Sequence, residues 1–325
     1  MTALRIGYIG AGGFTNRFMY PQLARHRVQL VAVCDLDEAK ARQAQHHYGF
    51  EHVYTDFHRM CDEQRLDAIF CVGGPKMHYG VGMQILDRGL PLYVQKAPAF
   101  SALQTKEMAE LARRKGIVCH VGFNIRSSVA VTRSKQFMAT PQFGRPNLCI
   151  VRYGFVSGAS VEDAVLDQHC HAVDTIRYLM GDIDSLQVSA GRMPGLRHYV
   201  VAVTFADGGV GTLNFTSEQG GRDFFYFEVT GEKGHMLLSP HFSLRYKQAG
   251  SPRGERGPEP DQVLETAVWG GEETIEWMGY VADVANYLAA VRGEAADRSP
   301  IASTIGTLEA CEEIYRQLRA AGVGP

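Results

Sequence analysis

The first 120 residues alternate short, continuous apolar runs with segments of helical composition. The apolar runs are Leu4–Ile9, Gln29–Cys34, Ala68–Val72, Leu92–Val94 and Ile117–Val121. Apolar runs without polar alternation are typical of strands buried on both faces, as parallel strands under helices are. Helical segments such as Leu36–His47 and Ala102–Lys115 lie between them. This repetition predicts an α/β fold with a doubly wound parallel sheet in a first domain, residues 1–122.

After about residue 122 the pattern changes to alternation of apolar and polar side chains. Four segments carry this pattern: Leu148–Phe155, His198–Phe205, Val210–Thr216 and Phe224–Thr230. Period-two alternation indicates strands with one covered face, and Asp207-Gly208-Gly209 predicts a hairpin. Helical patterns at about Trp277–Arg292 and Thr304–Ala321 close the chain. We therefore expect a second domain, residues 123–325, with a mostly antiparallel sheet and helices on one side. Ala249–Gln262 is expected to be an exposed loop.

Composition limits the partners that the chain is expected to have. The chain has 325 residues, 45% of them hydrophobic, and a formal net charge of −2. Without a basic excess, nucleic acid is not an expected partner. The seven cysteines are never spaced C-x-x-C, which favours reduced thiols over disulfides or a zinc site. No leader or membrane-spanning run is apparent, so the cytoplasm is the predicted location and no membrane partner is expected.

A glycine-rich turn follows the first apolar run and predicts a dinucleotide site. Gly10 and Gly12 occupy the first two positions of G-x-G-x-x-G, and Thr15 occupies the third. Gly10 permits a tight turn, while Gly12 lets the backbone approach a pyrophosphate at the start of the next helix. Pro21 is expected to kink or restart that helix. A purely structural glycine turn is the alternative.

Asp35 stands at the end of the second predicted strand, 25 residues after Gly10. An acid at this place binds the adenosine ribose hydroxyls and repels a 2′-phosphate, so NAD is favoured over NADP. The local alternative is that Asp35 caps the helix that follows.

Three further residues are candidates for the chemistry. Lys96 follows a predicted parallel strand, at the edge where α/β sheets bind ligands. In a predicted helix that ends at Gly181, Asp167 and His171 are spaced i and i+4 and share a face, so a carboxylate and a general base can act together. His169 lies on the opposite, apolar face and is expected to be packed. A His-x-His metal site is a rival interpretation, but no third ligand is evident, so no metal is expected.

These residues resemble motifs of the Gfo/Idh/MocA oxidoreductase family, which includes glucose–fructose oxidoreductase and inositol dehydrogenase. The similar segments, in chain order, are Gly10-Ala11-Gly12-Gly13, Asp35, Gly74-Pro75-Lys76-Met77-His78, Gln95-Lys96-Ala97-Pro98, Val121-Gly122-Phe123-Asn124-Ile125-Arg126 and Asp167-x-x-x-His171-x-x-Asp174. The resemblance covers nearly the whole chain, and the segments occur in the order and with the spacing of the family. The chain departs from the family pattern where Gln95 replaces Glu, where Ala97 replaces Pro, and where His169 replaces Gly.

The resemblance implies a Rossmann domain that binds NAD and a C-terminal α/β domain with an open mixed sheet for substrate binding and oligomerisation. It assigns NAD binding to Gly10, Gly12, Gly13, Phe14, Asp35, His78, Gln95 and Lys96. It assigns catalysis to Lys96, Asp167 and His171. The candidate substrate-binding residues are Asn124, Arg126, Tyr153, Asp167 and His171, of which Asn124, Arg126 and Tyr153 are expected to line the wall of the site. The implied substrate is a sugar, inositol or related polyol, whose secondary alcohol would lose a hydride to NAD.

Two other functions are compatible with the sequence. One is a non-catalytic NAD-binding sensor on the same fold, against which the presence of Lys96, Asp167 and His171 argues. The other is an enzyme that retains NAD and uses transient oxidation for glycoside cleavage or epimerisation. The alternating strands also predict an outward sheet face with apolar residues, as judged from Phe224–Val229, and hence a homodimer or homotetramer.

Overall fold

The structure is a computed structural model that describes residues 3–154, 160–191, 198–216, 224–248, 262–267 and 273–323. The chain divides into two compact units: Met1–Phe123 with Tyr280–Ile305, and Asn124–Gly279 with Gly306–Pro325. The division after Phe123 lies beside the predicted boundary at residue 122. The segment Tyr280–Ile305, however, belongs to the first unit, whereas the sequence pattern predicted it in the second domain. The loop predicted at Ala249–Gln262 falls almost wholly outside the described residues.

The helices begin and end where local chemistry favours it. In chain order they are α1 (Tyr20–Leu23), α2 (Glu38–Tyr48), α3 (Phe57–Glu63), α4 (Pro75–Asp87), α5 (Ala102–Lys115), α6 (Val129–Met138), α7 (Val161–Asp163), α8 (Cys170–Met180), α9 (Glu273–Trp277), α10 (Tyr280–Val291) and α11 (Ile305–Ala320). Helix α5 shows the rule: the Ser101 hydroxyl accepts a hydrogen bond from the Gln104 N–H, and Gly116 ends the helix with a φ of 66°. The segments Thr15–Met19 and Ala164–His169 are π-helical, and Asn124–Ser127 and Ile301–Thr304 form short 3-10 turns.

The first unit contains a six-stranded parallel sheet. Its strands are β1 (Leu4–Ile9), β2 (Val28–Cys34), β3 (His52–Tyr54), β4 (Ala68–Cys71), β5 (Leu92–Gln95) and β6 (Cys119–Gly122). They lie in the order β3-β2-β1-β4-β5-β6, all parallel. Strands β1 to β3 are added toward one edge of the sheet and strands β4 to β6 toward the other, so the order of addition reverses between β1 and β4. Open α/β sheets bind nucleotides at such a point, beside the carboxyl ends of their strands. The predicted doubly wound parallel sheet is confirmed.

Helix α10 belongs to this unit because its aromatic and acidic side chains pack against the sheet. Tyr287 is fully buried, and its hydroxyl donates a hydrogen bond to the carbonyl oxygen of Ile69, 3.2 Å away. The loop after α10 continues the same packing, since the Val121 N–H donates to the carbonyl oxygen of Ser299. Through these buried contacts, α10 belongs to the first unit although it is distant in sequence from the strands of the parallel sheet.

The second unit contains an eight-stranded mixed sheet. Its strands are β7 (Pro146–Gly154), β8 (Ile183–Ala190), β9 (His198–Phe205), β10 (Val210–Thr216), β11 (Phe224–Gly231), β12 (Met236–Pro240), β13 (Leu244–Lys247) and β14 (Gln262–Glu265). The order is β14-β13-β12-β11-β7-β10-β9-β8. Among the described strands of this sheet, β7 and β10 are the one parallel pair. The predicted hairpin joins β9 to β10, with Gly208 at a φ of 90°. The mostly antiparallel sheet is therefore confirmed.

The two faces of this sheet differ, and the prediction for β11 needs correction. Phe225, Phe227 and Val229 are buried on the helix-covered face, so they do not contribute to an outward apolar patch. Their neighbours on the other face of β11 are the half-buried Tyr226 and Glu228. Alternation was predicted correctly, but the composition of the strand does not reveal which of its two sets of residues is covered. Exposed aliphatic residues on this face come from other strands, among them Leu148, Val200 and Val210.

None of the helices in the described residues is long and apolar enough to cross a membrane.

Candidate active site

The glycine-rich turn lies directly after β1, at the carboxyl edge of the parallel sheet. Gly10 has a φ of 106°, and a side chain there would place its Cβ only 2.0 Å from the carbonyl oxygen of Val72, so only glycine fits. A Cβ on Gly12 or Gly13 would meet no described atom within 4 Å. The turn therefore presents exposed backbone to open space at the start of a helix, where N–H groups lack partners within the helix. These features fit the pyrophosphate of a dinucleotide.

The helix after the turn is interrupted as predicted. Residues Thr15–Met19 form a π-helical turn, and α1 then begins with Pro21 in its first turn. Tyr20 holds this segment to the glycine turn, because its buried hydroxyl donates to the Gly10 carbonyl oxygen, 2.9 Å away. Sequence reasoning did not identify Tyr20, since nothing in the local pattern indicates a bond across the turn. Phe14 is 37% exposed, and its ring lies 5.2 Å from the ring of Phe18.

Asp35 faces the glycine turn from the end of β2. Its Oδ2 accepts a hydrogen bond from the Ala11 N–H at 2.7 Å, and its Oδ1 accepts one from the Asp37 N–H at 2.9 Å. A carboxylate oxygen can accept two bonds, so both oxygens keep capacity for a ribose diol. The alternative that Asp35 caps the following helix is wrong, because Asp37 is the residue whose side chain accepts from Ala39 and Lys40 at the start of α2.

His78 is fully buried and links two loops at the same sheet edge. Its Nε2 lies 3.0 Å from the Gly73 nitrogen, and its Nδ1 lies 2.8 Å from the Ala97 carbonyl oxygen. A backbone N–H must donate to Nε2 and a carbonyl must accept from Nδ1, so the ring is neutral with its proton on Nδ1. These bonds hold the Lys96–Ala97 segment to the loop after β4. His78 therefore positions this segment, and direct contact with the cofactor stays a prediction.

Lys96 lies where the sequence placed it, directly after β5 at the carboxyl edge. The residue is half-buried, and the peptide bond between Lys96 and Ala97 is cis. The neighbouring Gln95 is buried, and its Nε2 donates to the Tyr93 hydroxyl at 3.1 Å. Since Gln95 is a neutral amide, it gives Lys96 no carboxylate neighbour where the family motif has one.

In the second unit, Asp167 and His171 lie near the junction of a π-helical turn and α8. Asp167 belongs to the segment Ala164–His169, and His171 is the second residue of α8. A π turn holds more residues than an α turn, so the 100° spacing assumed from the sequence does not hold here. The His171 ring is buried and lies 6.4 Å from the ring of Tyr153 at an interplanar angle of 22°. The two rings are therefore nearly parallel neighbours.

His169 is a packed histidine, as predicted. Its ring stacks on Phe215 with centroids 4.4 Å apart, and its Nδ1 is hydrogen-bonded to the Tyr199 hydroxyl. Burial lowers the pKa of His169 to about 3, so the ring is neutral at physiological pH. No group of three or more His, Cys, Asp or Glu side chains in the described residues could hold a metal ion.

Asp174 and Arg126 form a buried ion pair. Arg126 Nε and Nη2 donate to the two carboxylate oxygens at 2.7 and 2.6 Å, and the Thr307 hydroxyl donates to Oδ1 at 3.0 Å. This geometry fixes α8 to the chain around Arg126 and to α11. Asn124 is also buried, and its Nδ2 donates to the Met278 carbonyl oxygen at 2.7 Å. Both residues have a structural role, and their contact with substrate stays a prediction.

Comparison with known proteins identifies the family of the chain. Residues 4–123 match the model of an oxidoreductase family with an NAD-binding Rossmann fold, and residues 135–237 match the GFO/IDH/MocA C-terminal domain. The chain is 23% identical to the D-apiose dehydrogenase of Paraburkholderia graminis, covering 96% of this chain and 86% of that protein. It is 25% identical to the scyllo-inositol 2-dehydrogenase (NAD(+)) of Bacillus subtilis, over 47% of this chain and 46% of that protein.

Two solved structures show the same fold. A dehydrogenase from Chromobacterium violaceum superposes with a TM-score of 0.89 at 18% identity, covering 99% of this chain and 98% of that one. A levoglucosan dehydrogenase in complex with NADH and levoglucosan superposes with a TM-score of 0.83 at 18% identity, covering 98% of both chains. The chain thus belongs to the GFO/IDH/MocA oxidoreductase family, as an NAD-dependent oxidoreductase with NAD as its cofactor.

Proposed function

We propose that this chain is a dehydrogenase that oxidises a secondary alcohol of a sugar, inositol or related polyol. What carries the proposal is that the chain has Lys96 at the carboxyl end of β5 in the first unit, and Asp167 and His171 on either side of the start of α8 in the second. Relatives named for D-apiose, levoglucosan and inositols support a polyhydroxy substrate. NAD, when bound, supplies the hydride acceptor.

Residues of the first unit bind the cofactor and the substrate oxygen. The open backbone at Gly12 and Gly13 binds the pyrophosphate, and Asp35 binds the ribose hydroxyls. Lys96 donates a hydrogen bond to the substrate oxygen and stabilises the negative charge that develops there as the C–H bond breaks. His78 keeps Lys96 in place through the Ala97 carbonyl.

The residues of the second unit handle the proton and the neighbouring hydroxyls. His171 accepts the hydroxyl proton as a general base, and its buried ring lies nearly parallel to that of Tyr153. Asp167 accepts a hydrogen bond from an adjacent hydroxyl, which selects substrates with more than one hydroxyl group. We include Tyr153, Asn124 and Arg126 as substrate-wall residues.

Assembly through the open sheet face is also part of the proposal. Leu148, Val200 and Val210 are 37–47% exposed there, on three adjacent strands. Exposed aliphatic residues grouped in this way favour an interface, and twofold symmetry lets one face pair with itself. We propose a homodimer or homotetramer.

Two substitutions test the catalytic roles. Lys96→Met should abolish turnover while NAD binding remains measurable by calorimetry, because Lys96 acts on the reacting oxygen. His171→Ala should lower kcat by about 10²–10⁴, the usual effect of losing a general base.

Lys115→Met is the matched control for Lys96→Met, since it removes an exposed lysine whose Nζ contacts Asp87. Near-native turnover in His171→Ala would refute the assignment of the base. Equal losses in Lys96→Met and Lys115→Met would refute the role of Lys96.

A further inference from the structure

A chain of five polar side chains runs through the buried interior of the first unit, ending beside Lys96. Its members, in order of contact, are Gln95, Tyr93, Asp283, His120 and Asp297. Four of the five are at most 3% exposed. Gln95 Nε2 lies 3.1 Å from the Tyr93 hydroxyl, which lies 2.8 Å from Asp283 Oδ2. His120 Nε2 lies 3.2 Å from Asp283 Oδ1, and its Nδ1 lies 2.7 Å from Asp297 Oδ1. None of these contacts was predicted from the sequence.

The hydrogen bonds among these five side chains allow only one assignment of donors and acceptors. Both ring nitrogens of His120 face carboxylates, which only accept, so both nitrogens carry protons. Asp283 accepts from His120 with one oxygen, and its other oxygen must accept the proton of the Tyr93 hydroxyl. The Tyr93 oxygen is then left as an acceptor toward Gln95.

This assignment fixes the orientation of the Gln95 amide. Only the NH₂ group of the amide can donate to Tyr93, so Nε2 lies on that side, 3.6 Å from the Met19 sulfur as well. The amide oxygen Oε1 therefore points to the other side, where it lies 3.3 Å from the Lys96 backbone nitrogen. A flipped amide would place two acceptors against each other at Tyr93 and would lose this bond.

We propose that Tyr93, Asp283, His120 and Asp297 are positioning residues that orient the Gln95 amide against the Lys96 backbone and exclude a carboxylate at position 95. The effect on turnover rests on the proposed role of Lys96, whereas the exclusion of a carboxylate does not. This accounts for the departure from the Glu of the family motif, because the hydroxyl that would have to donate to a carboxylate is already committed to Asp283.

The charges around His120 agree with the proposal. His120 is faced by Asp283 on α10, by Asp297 in the following loop, and by the rings of Tyr93 and Tyr287 at 5.2 and 5.8 Å. Burial alone would lower the pKa of His120, but the two aspartates outweigh it and raise the pKa to about 9. Two carboxylates and one imidazolium already leave one net negative charge in a buried place, so a further carboxylate is costly.

The direct test measures unfolding by urea at pH 5 and pH 8 for Gln95→Glu, in the wild-type and Asp283→Asn backgrounds. In Gln95→Glu, the carboxylate oxygen that faces Tyr93 finds no donor there, and its charge adds to the buried negative charge. The pKa of this carboxyl is therefore raised in the folded state, so the variant loses stability as the pH rises above the unfolded pKa. Between the unfolded and the folded pKa of the introduced carboxyl, the unfolding constant of Gln95→Glu relative to its parent should rise about ten-fold for each pH unit.

The Asp283→Asn background should suppress this rise, since it frees the Tyr93 proton and removes one negative charge. An effect of Gln95→Glu that is equal at both pH values, or equal in both backgrounds, would overturn the proposal. This experiment needs no substrate, so its result is independent of whether the proposed function is correct.

A second pair of variants tests the orientation even if Gln95→Glu does not fold. Tyr93→Phe removes the acceptor of the Gln95 amide and should lower kcat about two- to ten-fold, the value of one hydrogen bond, with an unchanged NAD dissociation constant. Tyr287→Phe is the matched control, because it removes a buried hydroxyl nearby that donates only to Ile69. A kcat that falls equally in both variants would mean a merely structural role and would overturn the proposal.

Discussion

Lowering the pH from 7 to 5 should destabilise the native state through His169. Its ring is buried against Phe215 and Tyr199, and burial lowers its pKa to about 3. The unfolded chain takes up a proton below a pKa of about 6.5, but the folded chain does not. Stability from this residue is therefore complete above pH 6.5 and is lost as the pH falls toward 3. At about 1.36 kcal/mol per pH unit, the loss between pH 7 and pH 5 is about 2 kcal/mol.

The assay compares urea unfolding of the wild type with that of His169→Gln, whose amide cannot be protonated in this range. The wild type should lose about 2 kcal/mol more than the variant between pH 7 and pH 5. Ile176→Val is the control, because it removes one buried methyl group and should lower the free energy of unfolding by about 0.5–1.5 kcal/mol at both pH values. If the difference between wild type and His169→Gln were the same at both pH values, the burial argument would be refuted.

Three further predictions follow from the site and the sheet. Asp35→Ser should weaken NAD binding and relax discrimination against NADP in calorimetry; tighter binding of NADP than NAD by the native chain would contradict this. Arg126→Met leaves the buried Asp174 carboxylate without its ion pair and should lower the free energy of unfolding by about 3–5 kcal/mol, whereas Arg145→Met, at an exposed pair, should change it far less. Val200→Asp on the open sheet face should reduce the mass in light scattering to that of one 35.9 kDa chain, and an unchanged mass would count against that interface.

The parallel sheet could be predicted because its strands are buried on both faces and are therefore continuously apolar. Leu4–Ile9 matches β1 at both ends, and the other predicted runs match within two residues. The strand β3 was missed, because it has only three residues and lies at the edge of the sheet. The place of α10 was also missed, since its pairing with the sheet depends on contacts such as Tyr287 to Ile69 that no local pattern contains.

The positions of candidate site residues could be predicted where they follow from the end of an element, while the roles of these residues stay predictions. Lys96 at the end of β5 and Asp35 at the end of β2 are of this kind. The roles of His78 and Arg126 depend instead on distant partners, which the sequence alone does not identify. The π turn at Ala164–His169 was likewise not predicted, because its composition does not differ from that of an α-helix.

The central claim is that a polyol loses a hydride to NAD on this chain. The most direct measurement incubates the wild type with NAD and a panel of sugars, inositols and other polyols, and follows the absorbance of NADH together with the amount of oxidised product. We expect at least one member of the panel to yield NADH and ketone in equal amounts, and Lys96→Met to yield neither. Tight NAD binding without NADH from any member, or product formed without net NADH, would contradict the claim and favour a sensor or an internal redox cycle instead.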